Sequence, residues 1–152
     1  MSVDRLELAF PNLAGSNYRI TSPCTPAYNC VAWAAADDAR WWDPGEFFYW
    51  PAGVPREYTL DAFVAAFRTL GYSVCDDGVM EAGYEKIAIY ADERDEPRHM
   101  ARQQSSGAWT SKLGKWEDIE HELEGLEGQS YGRVTLFMKR RTPQDVASDI
   151  EE

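Results

Sequence analysis

The chain has 152 residues and a formal charge of −11, from 15 Lys and Arg against 26 Asp and Glu. That length suits one domain, and 44% hydrophobic residues is too many for a disordered chain. The acidic balance excludes unaided nucleic-acid binding, which needs clustered Lys and Arg, and adsorption to an anionic membrane.

Residues 1–10 alternate and carry Asp4 and Glu7, without the basic start and apolar run of a signal peptide. No apolar run approaches membrane-spanning length. The expected compartment is the cytoplasm, with free thiols, or the exterior by way of a dedicated secretion system. The N-terminal third is punctuated by Pro11, Pro23, Pro26, Pro44, Pro51 and Pro55 and reads as irregular. Residues 30–39 are the exception: an alanine-rich run without Gly or Pro predicts a helix, with Asn29 as its N-cap and Cys30 in its first turn. The aromatic cluster Trp41-Trp42 and Phe47-Phe48-Tyr49-Trp50 follows, part core and part wall of a cleft.

A second helix is predicted after Thr59, because Leu60, Phe63, Val64, Phe67 and Leu70 repeat at helical spacing and Gly71 stops them. Residues 72–75 and 86–90 read as strands. Residues 99–104 and 108–112 read as a hairpin around Ser105-Ser106-Gly107. Residues 116–126 are expected to be helical, with Ile119, Leu123 and Leu126 on one face, and residues 133–138 form a last strand. Strands joined by short turns imply an antiparallel sheet and an α+β fold. The organisation expected is one domain over residues 1–141 and a polar tail over 142–152.

Three thiols and two imidazoles limit the chemistry. Cys30 is the candidate nucleophile, because the first turn of a helix exposes unpaired N–H groups that favour a thiolate and an oxyanion. Cys24 and Cys75 read as bystanders. An odd cysteine count without repeated spacing is neither a disulfide framework nor a zinc site. The acidic run Asp92–Glu96 lacks the pattern of a calcium loop. Neither a metal nor a cofactor is expected. His99, at a strand start, is the natural base for Cys30, and the strand opposite supplies a residue to orient it. Hairpin register decides between Ser111 and Thr110, with Ser111 preferred. His121 falls off the apolar stripe of its expected helix and reads as a surface residue. Asn29, Trp33, Trp42 and Trp50 are the candidate substrate-binding residues.

A helix opened by Cys and followed by an antiparallel sheet whose strand begins with His resembles the papain-like superfold, with small NlpC/P60-type and CHAP-type proteins nearest in size. The segments Tyr28-Asn-Cys-Val-Ala-Trp-Ala-Ala35, His99-Met-Ala-Arg-Gln103 and Gly107-Ala-Trp-Thr-Ser-Lys-Leu-Gly114 more narrowly resemble a family of uncharacterised bacterial proteins. The broader resemblance implies a papain-like fold with Cys30 as nucleophile and His99 as general base. The expected activity is a cysteine hydrolase or transferase acting on an amide or thioester of a protein or peptide-like substrate. The rival readings are a non-catalytic protein-binding module of structural or immunity type, and a deamidating effector or toxin. Asn29 stands where NlpC/P60 proteins usually carry Asp, which sets cell-wall hydrolysis aside.

Overall fold

The computed structural model describes residues 2–113 and 116–142. Seven strands form a single antiparallel sheet: β1 (Arg19–Ser22), β2 (Ser73–Cys75), β3 (Tyr84–Ala91), β4 (Pro97–Gln103), β5 (Trp109–Lys112), β6 (Asp118–His121) and β7 (Arg133–Arg141). Their spatial order is β1-β6-β5-β4-β3-β7-β2. Helices are few and short: α1 (Ser2–Ala9), α2 (Cys30–Ala34) and α3 (Leu60–Arg68), with 3-10 turns at Pro11–Leu13 and Leu123–Leu126.

The alternation of β3 organises the core, since successive side chains leave a strand on opposite faces. Ile87 and Ile89 join Met100 and Met138 under α2, α3, Trp42 and Trp50. Ala88 and Tyr90 join Ala101, Trp109 and Ile119 under Leu6, Phe10, Leu13 and Leu126. Both faces are therefore covered, and residues 87–91 are buried throughout.

This architecture corrects the expected papain-like α+β fold. The protein is mostly a seven-stranded antiparallel sheet, nearer to all-β. Three local departures account for it. The expected helix over 116–126 is strand β6 followed by a 3-10 turn. The Pro-rich N-terminal third contains an edge strand, β1, paired with β6. Helix α2 spans five residues where ten were expected. It ends because Ala36 adopts a left-handed φ of 61°. The Asp37 N–H bonds back to the Ala32 carbonyl at 2.9 Å and the Ala36 N–H to the Trp33 carbonyl at 3.0 Å, the double closure of a Schellman motif. The Asp37 carboxylate then gathers the Ala39 N–H, Arg40 Nε and Trp42 Nε1 and turns the chain back.

Other expectations agree with the structure. Helix α3 starts at Leu60, capped by Thr59 Oγ1, which accepts the Ala62 N–H at 3.1 Å. Gly71, with φ of +93°, follows it. The hairpin of β4 and β5 is present, joined by residues 104–108. Apart from Thr142, the expected tail lies outside the described residues.

Candidate active site

Helix α2 packs on β4, and this contact brings Cys30 and His99 to one cavity of about 290 Å³. Its walls also include Asn29, Trp41, Asp43, Tyr58 and Tyr131. The Cys30 thiol is turned inward. Backbone N–H groups of Met100, Val31 and Cys30 point at the sulfur, but burial outweighs them and pushes the thiol up to about 11. The thiolate expected from a helix start is thus not the resting form. Desolvation of the charge wins over a dipole from a helix of five residues.

Asn29 holds the start of α2 in place. Its Oδ1 accepts the Ala32 N–H and the Trp42 N–H, each at 3.1 Å, and its Nδ2 donates to the Trp42 carbonyl at 2.8 Å. All of these bonds are internal, so Asn29 acts as cap and clasp. Clasping Trp42 into the core places its neighbour Trp41 in the cavity wall.

His99 is 2% exposed and sits between two aromatic rings. Tyr131 stacks on it at 4.0 Å and 7° between planes, and Tyr90 meets it edge-on at 5.3 Å. Tyr131 is presented by a loop closed by reciprocal backbone bonds between Gly128 and Gly132. His99 Nε2 lies 2.9 Å from Ser111 Oγ. Its Nδ1 is buried without a hydrogen-bond partner among the described residues. Burial, with a smaller effect from nearby His121, holds the ring well below the usual histidine range, so it rests neutral.

Register explains why Ser111 is the neighbour. Gln103 faces Trp109 and Ser111 faces Ile119, so His99, Gln103, Trp109 and Ser111 share one side of the sheet. Thr110 points to the other side, where its Oγ1 accepts from Trp33 Nε1 at 3.1 Å. His121, expected at the surface, lies in the interior instead. It is 3% exposed, and its Nε2 lies 2.7 Å from Ser111 Oγ. Its Nδ1 is 2.8 Å from the Glu122 carbonyl. Burial lowers it to about 4, against opposing effects of the Glu122 carbonyl and Glu120.

The tryptophans expected to bind substrate lie elsewhere. Trp42 and Trp50 are core residues, each 3% exposed, because their large rings fill the space between α3 and the sheet. Trp33 lies under the Arg102 guanidinium, 4.0 Å from its ring centroid, and is absent from the cavity wall. Cys24 and Cys75 are free thiols outside that wall. Among the described residues, no group of three or more His, Cys, Asp or Glu is placed to hold a metal ion. No helix among them is long and apolar enough to cross a membrane.

A family model described as a domain of unknown function, DUF7689, matches residues 19–139. The chain belongs to the DUF7689 family. The match takes in the whole cavity wall, with Cys30, His99 and Tyr131, and also Ser111 and His121, whereas α1 precedes it. No curated protein and no solved structure matches the chain. The family match supports the narrower resemblance drawn from the sequence and lends nothing to the papain-like one.

Proposed function

We propose that this protein is a thiol hydrolase or transferase that acts on an amide or thioester through Cys30 and His99. The observation that carries the reading is the shared cavity, lined by both Cys30 and a neutral His99 whose Nδ1 has no hydrogen-bond partner among the described residues. A thiol held protonated needs a base at the moment of attack, and an unoccupied imidazole nitrogen meets that need.

The chemistry runs in two halves. Cys30 Sγ attacks the acyl carbon while its proton passes to His99 Nδ1. The imidazolium then returns that proton to the leaving amine or thiol, and an acyl-thioester remains on Cys30. Water, or a second nucleophile in a transferase, repeats the sequence and frees the thiol. Burial makes the transient imidazolium costly, and the stacked Tyr131 ring offsets part of that cost through its π face. The backbone N–H groups beside the sulfur, from Cys30 and Val31, are suited to an oxyanion. A cavity of about 290 Å³ fits one side chain or a small acyl group, consistent with a peptide-like substrate that mostly lies outside it.

The test is acyl trapping. The protein is incubated with p-nitrophenyl acetate, and each cysteine is read by peptide mass spectrometry. Acetyl-Cys30 should accumulate in the wild type and fall on the order of 100-fold in His99→Ala. Equal acetylation of all three cysteines, or indifference to His99→Ala, would overturn the reading.

A further inference from the structure

The mechanism leaves His121 unused, although it is buried and joined to His99 through one hydroxyl. We infer that His121 is a positioning residue: acting through Ser111, it fixes the tautomer of His99 so that Nδ1 carries a lone pair. The inference rests on the proposed Cys30–His99 chemistry for its purpose, but its geometry stands alone.

Each contact along this chain has room for one proton only. The Glu122 carbonyl can only accept, so the Nδ1 of His121 at 2.8 Å must donate. A neutral imidazole carries one proton, so His121 Nε2 is left with a lone pair. Ser111 Oγ, 2.7 Å away, must then donate its hydroxyl proton to that nitrogen. Having spent its only proton, Ser111 can only accept from His99 Nε2 at 2.9 Å. His99 Nε2 therefore bears the proton and Nδ1 does not. Reversing the chain would put a lone pair of His121 against the carbonyl oxygen of Glu122, leaving two buried acceptors face to face. A backbone carbonyl three contacts away thus decides which nitrogen of His99 can take a proton.

The position of His121 serves this role. β6 pairs with β5 so that Trp109 faces His121 and Ser111 faces Ile119, and Ser111 is 0% exposed. No water is needed to complete the chain, because each polar atom between His99 Nε2 and the Glu122 carbonyl meets a protein partner. Phe or Leu at 121 would fill the space but would free Ser111 to rotate its proton toward His99.

The experiment is nitrogen-15 NMR of the histidine rings in the 152-residue chain at neutral pH, which separates protonated from unprotonated ring nitrogens. In the wild type, His99 should be protonated at Nε2 and His121 at Nδ1. His121→Leu should lose this selectivity and show His99 protonated at Nδ1 in part or whole. His121→Gln, whose amide can accept from Ser111 and donate to Glu122, should restore it. The rate of Cys30 acetylation should follow the tautomer, falling about tenfold or more in His121→Leu and recovering in His121→Gln. His99 protonated at Nδ1 in the wild type would overturn the inference. So would a His121→Leu protein that keeps the wild-type tautomer. The ring spectra require no turnover, so correct tautomers without any Cys30 acetylation would sink the proposed chemistry and leave this assignment intact.

Discussion

Acid should weaken this fold well before its carboxylates are protonated, and His121 allows the size of the effect to be worked out. An unfolded histidine titrates near 6.5, whereas burial lowers His121 to about 4. Above pH 7 both states are neutral and the group contributes nothing. As pH falls through 6.5 the unfolded chain takes up a proton that the folded chain refuses, so stability is lost. At pH 5 the loss is about 2 kcal/mol, and it approaches about 3 kcal/mol near pH 4, where the folded ring also begins to titrate. His99, lowered for the same reason, adds to the loss with the same sign. Against a typical total of about 5–15 kcal/mol, that is a large fraction. Urea unfolding at pH 7.5 and pH 5 measures it, and the wild-type midpoint should drop by about 1 M or more. His121→Gln has no proton to gain, so its pH-dependent loss should be smaller by about 2 kcal/mol, whatever its stability at pH 7.5. Equal losses in wild type and variant would refute the claim that His121 is buried and neutral.

Two other outcomes are expected. Ala36→Gly should raise stability by about 1 kcal/mol in the same urea assay, because Ala36 is exposed and pays a steric cost for its left-handed φ of 61°; a loss of stability would mean that the Schellman closure is misplaced. Iodoacetamide labelling of Cys30 should keep accelerating to pH 10, following a thiol pushed up to about 11, and a plateau reached below pH 8 would show a preformed thiolate instead.

How far the sequence could be read depended on which signal each residue carried. Thr59 and the apolar repeat behind it state helix α3 in local terms, and the structure follows them. The Asn29 cap was equally local. The length of α2 was not, because alanines at 35, 36 and 39 favour helix while the chain stops at a left-handed Ala36 and turns back through Asp37, which holds Trp42. His121 shows how a period can be misjudged. Ile119, His121 and Leu123 lie two apart, which on a strand is one face, yet Ile119, Leu123 and Leu126 also fit a helix. Choosing the helix sent His121 to the surface, and with it went half of the hydrogen-bonded chain behind His99. Ser111 was preferred to Thr110 but could not be fixed, since strand parity rests on the loop over 104–108. Tyr131 carried no signal in the sequence. Its place on His99 comes from a glycine-bracketed loop that only the three-dimensional closure of Gly128 on Gly132 defines.

The high titration of Cys30 also bears on oxidative damage. Thiolate is the form that attacks peroxide and other electrophiles, and a thiol near 11 supplies only about one thiolate in ten thousand at neutral pH. Sulfenic acid formation should therefore be slow at Cys30 in the empty protein. Under the proposed chemistry, a Cys30 that stays protonated until an acyl group is in place next to it is kept from the irreversible chemistry that inactivates more acidic cysteines. By holding the sulfur protonated, the cavity preserves it as well as positioning it.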